Sequence, residues 1–148
     1  MKKLSVLIGL LCFFSAAKSQ IMNPANWSYA VKKVSKTEVV VLVKATIGQG
    51  WHIYSTHQPD GGPLKTTIAF KPSSDFVLAG KLREPKPHTE FNDIWGINVM
   101  SFEKSFIFQQ RIKLKKGNTV VKGSIDFMVC DAHQCLPPDK VEFSIPVK

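Results

Sequence analysis

Apolar and polar residues alternate with a period of two along much of the chain, whereas the 3.6-residue period of an amphipathic helix is hard to find. Short runs rich in β-branched and aromatic residues are separated by turn-forming residues, which is typical of strands. Seven or eight strands of this kind predict an all-β fold, an immunoglobulin-like two-sheet β-sandwich. The runs lie at residues 39–47, 51–54, 66–70, 76–79, 105–114, 120–129 and 141–147.

Two of these runs are joined by a short polar connection. Residues 105–114 (SFIFQQRIKL) and 120–129 (VVKGSIDFMV) flank Lys116-Gly117-Asn118, a composition typical of a hairpin tip. We therefore predict that the two runs pair as a β-hairpin. The lysines at 113, 115 and 116 form the densest basic cluster, and we interpret them as a solvated turn that also protects a sheet edge.

One long stretch lacks a strand pattern. Residues 83–99 (REPKPHTEFNDIWGINV) contain two prolines and a polar run before Ile94 and Trp95. A loop of this length in a compact domain is usually disordered or functional. Because an Ile-Trp pair is unsuited to a disordered tip, we expect it to cover another part of the domain, either the open end of the sandwich or a site.

The first residues, MKKLSVLIGLLCFFSAAKSQ, have the composition of a secretory signal peptide. Its apolar run is about eleven residues long, short of the ~20 that a spanning helix needs, so no stable membrane insertion is expected. We predict a signal peptide at residues 1–19 and a single domain at 20–148. A lipoprotein anchored through Cys12 is the alternative, but the bulky Leu11 before it disfavours that processing.

Charge and composition argue against one class of function, nucleic-acid binding. Removal of residues 1–19 lowers the net charge from +9 to +6 through the loss of Lys2, Lys3 and Lys18, and the remaining surplus is scattered. A nucleic-acid-binding surface needs basic residues interleaved with stacking aromatics, and export removes most such partners. No nucleic-acid role is expected.

The same cleavage removes Cys12 and leaves Cys130 and Cys135, within MVCDAHQCLPP, as the only cysteines. In an exported protein, two thiols this close are expected to form a disulfide. A ring of six residues stabilises a fold by only about 2 kcal/mol in the chain-entropy model. Spacing alone leaves a structural staple and a redox couple almost equally supported.

A metal site is the third alternative. Cys130, His133 and Cys135 offer three soft ligands, and a histidine at 52, 57 or 88 is a candidate for the fourth. A lone histidine in a tight turn is more often solvated, however. For a redox couple, one sulfur must be reachable for in-line attack. The neighbouring Asp131 carboxylate is expected to raise the thiol pKa, which suits a reducing couple better than an oxidising one.

The run from residue 121 to 147, with its strand, Cys-x4-Cys, Leu-Pro-Pro and closing strand, resembles the amino-terminal periplasmic domain of the thiol:disulfide interchange protein DsbD. The resemblance implies an immunoglobulin-like fold and a periplasmic location. It also implies a protein-disulfide reductase relay with no cofactor beyond Cys130 and Cys135, in which Cys135 forms the mixed disulfide. The implied partners are thioredoxin-fold proteins, including those of cytochrome c maturation, and a membrane electron transporter encoded separately.

The resemblance also assigns residues around the cysteines. In the family a cap loop shields the disulfide, and the segment Asn92-Asp93-Ile94-Trp95-Gly96 has the corresponding order, with Ile94 or Trp95 as the lid. Aromatic residues of an earlier strand support the cysteines, which places Tyr54 and His52 in that role, together with Asp131 beside Cys130. The alternative function is a non-catalytic binding module in which the disulfide only rigidifies a loop.

Overall fold

The computed structural model describes residues 23–148, so the predicted signal peptide and Cys12 lie outside the described residues. The described chain is built from strands, turns and bends, and it contains no helix long and apolar enough to cross a bilayer. There are eleven strands: β1 (Ala25–Lys33), β2 (Glu38–Ile47), β3 (His52–Tyr54), β4 (Thr67–Phe70), β5 (Phe76–Leu78), β6 (His88–Asn92), β7 (Ile97–Glu103), β8 (Ser105–Leu114), β9 (Thr119–Phe127), β10 (Val129–Cys130) and β11 (Asp139–Val147).

The strands form three hydrogen-bonded groups, and every strand pair in them is antiparallel. Their orders are β1-β2-β8-β5, β10-β3-β7-β6 and β11-β9-β4. Only Lys104 separates β7 from β8, and only Met128 separates β9 from β10. The second group is therefore linked by almost continuous strands to each of the others. The predicted all-β, immunoglobulin-like sandwich is confirmed.

The core lies between the inner faces of these sheets. In β8 and β9 every second side chain is buried, as the alternation of the sequence predicts. Phe108 and Phe127 are its largest fully buried side chains, and Trp27 stands against both rings, at centroid distances of 6.5 and 5.2 Å. Burial of one such aromatic side chain contributes about 1.5–3 kcal/mol, so the core does not depend on a cross-link.

The predicted hairpin of residues 105–114 with 120–129 is wrong. β8 pairs with β2 and β5, whereas β9 pairs with β11 and β4, so the two strands belong to different sheets. The tight hairpin turn of type I′ needs positive φ at its central residues, and Gly117 does not have a positive φ. Instead, the backbone N–H groups of Lys115 and Lys116 in this connection donate hydrogen bonds to the carbonyl oxygen of Asp75.

The predicted long loop at residues 83–99 is also wrong in part. Most of it forms the β6–β7 hairpin, in which His88 lies opposite Ser101 and Asn92 lies opposite Ile97. β6 is an edge strand whose residues are almost all exposed. Without a buried face it carries no apolar alternation, which is why the strand was not predicted.

β1 was missed for a different reason. Trp27, Tyr29 and Val31 pack against the core at alternate positions, so the signal was present but short and interrupted by polar residues. β1 pairs with β2 over its whole length, from Ala25 opposite Ile47 to Lys33 opposite Val39.

Candidate functional site

Cys130 and Cys135 form a disulfide across a tight turn, with 2.00 Å between the sulfur atoms and 4.0 Å between the Cα atoms. The turn is closed by two backbone hydrogen bonds, from Asp131 N to Gln134 O (2.9 Å) and from Leu136 N to Val129 O (2.9 Å). The two cysteines also form an isolated antiparallel bridge. The chain therefore returns beside β10 directly after the turn.

The two sulfur-bearing residues differ in exposure. Cys130 is only 1% exposed because it lies in β10, hydrogen-bonded to β3, whereas Cys135 lies outside the strands and is exposed. Thiol–disulfide exchange requires in-line approach to one sulfur atom. Cys135 is thus the accessible member of the pair, and Cys130 the shielded one.

Asp131 organises the turn between the cysteines. Its Oδ1 accepts hydrogen bonds from the backbone N–H groups of His133 (2.7 Å) and Gln134 (2.8 Å). These two bonds lower the pKa of the Asp131 carboxyl below its usual value, so it is ionised at neutral pH. The side chain of His133 is exposed, and residues 23–148 hold no group of three or more His, Cys, Asp or Glu side chains placed to bind a metal ion.

His52 and Tyr54 stand next to the disulfide on β3. His52 lies directly opposite Cys130, and Ile53 lies opposite Val129. Ile53 and Val129 both belong to the core. Because successive side chains of a strand point to opposite faces, His52 and Cys130 share the outer face of the sheet.

The two aromatic side chains contact each other. Nε2 of His52 is 3.0 Å from the hydroxyl oxygen of Tyr54, and the rings meet edge to face at 5.2 Å. Tyr54 is buried although it faces outward, and burial raises the pKa of its hydroxyl. Burial lowers the pKa of His52. The negative charges of Glu103 and Asp131 act in the opposite direction and raise it, but burial is the larger effect.

The predicted cap loop is the tip of the β6–β7 hairpin. Oδ1 of Asn92 accepts hydrogen bonds from the N–H groups of Ile94 (3.0 Å) and Trp95 (3.3 Å), and the carbonyl oxygen of Asn92 accepts one from Gly96 (2.8 Å). Gly96 has a φ of 66°, a conformation that a glycine adopts without steric cost. Asp93 is exposed at the apex.

The side chains of Trp95 and Ile94 differ in their environment: one lines a cleft and the other stands in solvent. Trp95, 40% exposed, lines a cleft of about 230 Å³ together with His52, Tyr54, His88, Glu90, Phe91, Asn92, Val99 and Ser101. Ile94 is 88% exposed and is not part of the cleft. Neither cysteine lines it. The tip therefore lies beside the side chains that neighbour Cys130, with Trp95 at the cleft and Ile94 in solvent.

Two neighbours of the disulfide were not predicted from the sequence. Glu103 of β7 lies opposite His52, and only the strand register reveals this. On the other side, Leu136, Pro137 and Pro138 border an apolar cleft of about 390 Å³ that reaches Phe127, Val129 and Pro24. The Leu-Pro-Pro motif was visible in the sequence, but its packing beside the start of β1 was not.

The family model described as thiol:disulfide interchange protein DsbD, N-terminal, matches residues 18–146. Among curated proteins no match was found.

Three solved structures are similar in fold. The N-terminal periplasmic domain of ScsB from Proteus mirabilis is 20% identical, with a TM-score of 0.59. The similarity covers 85% of this chain but only about half, 47%, of the ScsB chain. The reduced DsbD N-terminal domain of Neisseria meningitidis is 17% identical (TM-score 0.50; 80% of this chain, 83% of that one). The same organism's DsbD N-terminal domain in complex with the PilB N-terminal domain is 16% identical (TM-score 0.54; 84% and 87%). Because the family model matches residues 18–146, the chain belongs to the family of the N-terminal domain of the thiol:disulfide interchange protein DsbD.

Proposed function

We propose that the chain is an exported thiol–disulfide exchange protein that relays electrons through Cys130 and Cys135. It accepts them from a thioredoxin-like or membrane-bound donor and passes them to thioredoxin-fold acceptors in the periplasm. The observation that carries this proposal is the unequal exposure of the pair: an accessible Cys135 bonded to a shielded Cys130 across the turn after β10. Family membership supports the same chemistry.

The unequal exposure assigns an order to the exchange. A donor thiolate attacks Sγ of Cys135, the bond between the two cysteines breaks, and its electron pair leaves on Sγ of Cys130. A second donor thiol resolves this mixed disulfide and leaves the pair reduced. In the opposite half-cycle, Cys135 attacks an acceptor disulfide and Cys130 then displaces the acceptor.

The β6–β7 tip supplies the shield in this proposal. Trp95 lines the cleft beside His52 and Tyr54, which lie next to Cys130 on the outer face. A partner that binds at the exposed Cys135 displaces the tip and uncovers the outer face beside Cys130. In this proposal the shield is Trp95 and not Ile94, because the side chain of Ile94 stands in solvent.

Single cysteine substitutions test the relay. Cys130→Ala leaves Cys135 without its resolving partner, so a thioredoxin-fold protein with an oxidised active site should accumulate as a mixed disulfide on Cys135. Cys135→Ala should trap much less, because Cys130 is shielded. Non-reducing electrophoresis and peptide mass spectrometry measure both adducts. If neither variant traps a thioredoxin-fold protein, the pair does not act as a relay.

A further inference from the structure

Cys130 lies opposite a titratable side chain, that of His52, to which the relay described above gives no role. His52 lies directly opposite it in the β3–β10 pair, and cross-strand partners of this kind have Cβ atoms about 4.5–5.5 Å apart. The thiol that Cys130 carries after reduction is shielded from water by its burial. A proton on that sulfur therefore needs a protein group to receive it.

The neighbours of His52 on β3 and β7 and after Cys130 favour this role, while His88 and Glu90 of β6 line the same cleft. Tyr54 engages Nε2 and so leaves Nδ1 as the second ring nitrogen for proton exchange. Glu103 on β7 lies opposite His52, and Asp131 follows Cys130, so two carboxylates stabilise a protonated ring. Burial opposes protonation and lowers the pKa of the ring, which keeps His52 neutral, and hence basic, near pH 7 in the oxidised protein.

We propose that His52 is the proton acceptor of the Cys130 thiol, and the proton donor to the Cys130 thiolate in the reverse direction. This inference rests on the proposed relay and names the group that takes up the proton of the Cys130 thiol during it. The imidazolium beside the thiolate forms a charge pair, which is the arrangement that activates cysteines elsewhere. Glu103 and Asp131 act as positioning groups that stabilise the charged ring.

In the resolving step His52 takes up the proton of the attacking thiol. Cys135 is already bonded to an acceptor sulfur, and the Cys130 thiol transfers its proton to His52. The resulting Cys130 thiolate attacks Sγ of Cys135; the bond between Cys130 and Cys135 forms, and the bond to the acceptor breaks. The electron pair leaves on the acceptor sulfur, and over the two steps together the acceptor gains two electrons and the cysteine pair loses two. The proton on His52 then passes to solvent.

Alkylation of Cys130 measures the coupling without any partner protein. In the full chain with Cys135→Ala, iodoacetamide rates are followed from pH 5 to 10, and mass spectrometry of the Cys130 peptide reads that thiol alone. His52→Gln, which keeps a side chain able to bond Tyr54, should raise the midpoint of the pH–rate profile by about one unit, a tenfold slower reaction at pH 7. His133→Gln, in the turn between the cysteines, should leave the midpoint unchanged.

A second measurement avoids substitution at the site. The His52 ring signals of the wild-type chain, followed by NMR, should titrate at higher pH in the reduced protein than in the oxidised one, because coupling between two titrating sites is reciprocal. Equal midpoints in both redox states, or a profile that moves with His133→Gln and not with His52→Gln, overturn the proposal. Failure of the relay would appear instead as absent mixed disulfides, whatever the midpoints show.

Discussion

At the scale of single residues, the site is defined by contrasts between neighbours. Cys130 is shielded while Cys135 is exposed, and Trp95 lines the cleft beside His52 while Ile94 stands in solvent. The sequence predicted the cysteine pair because only spacing was needed. It did not decide whether Ile94 or Trp95 is the lid, since two adjacent apolar residues in a turn give no indication of which one faces the domain. The expectation that the Asp131 carboxylate raises the thiol pKa stays a prediction.

Trp95→Ala should expose the outer face beside Cys130. Its indole is about half buried, so the lost contacts are worth about 1 kcal/mol, which corresponds to a roughly fivefold faster alkylation of Cys130 in the reduced protein. Ile94→Ala is the matched control from the same turn and should leave the rate unchanged, because its side chain is in solvent. Equal rates for both variants and the wild type would remove the shield from the account.

At the scale of strands, the alternation of the sequence predicted which residues are buried but not which strands pair. β8 and β9 both present a buried face, so a hairpin and a crossing between sheets give the same pattern along the chain. The pairing was settled by long-range contacts with β2, β5, β11 and β4, which no local signal reports. The crossing matters for function because β9 continues, after Met128, into β10 and delivers Cys130 beside β3.

Gly123 in β9 shows how tightly that strand is packed. A Cβ atom there would collide with the carbonyl oxygen of Ala69 on β4 and the ring of Phe143 on β11. Gly123→Ala should therefore lower the free energy of unfolding by about 1–3 kcal/mol, as overpacked core positions do. Gly117→Ala is the control, since a Cβ there meets nothing within 4 Å. Urea unfolding measures both, and equal midpoints would show that the strand is not close-packed at this point.

At the scale of the whole molecule, the fold does not depend on its disulfide. The extensive core and the small ring between Cys130 and Cys135 imply that reduction costs only about 2 kcal/mol. Both redox states can then remain folded, which a relay requires.

Glu84 couples stability to pH. Burial alone would raise its pKa, but hydrogen bonds from Ser55, His57 and Thr56 outweigh burial and hold the pKa of Glu84 below its usual value. The stabilisation is therefore fully present above the unfolded-state pKa of about 4.3 and is lost as pH falls through the lower folded-state pKa.

Substitution of Glu84 tests this linkage. Glu84→Gln should flatten the decline of thermal stability below about pH 4.3, whereas Glu90→Gln, an exposed residue of β6, should not. The melting temperature is measured from pH 3 to 7 for both variants. Parallel curves for Glu84→Gln and the wild type would show that the network carries no linkage.

The reduction potential of the Cys130–Cys135 couple separates a working relay from an inert structural disulfide. The purified protein is equilibrated with graded ratios of reduced and oxidised dithiothreitol, and the fraction of free thiol at both positions is read by mass spectrometry. A working relay predicts a value near that of thioredoxin, about −270 mV. A value far below about −300 mV would mark an inert structural bond and would contradict the account.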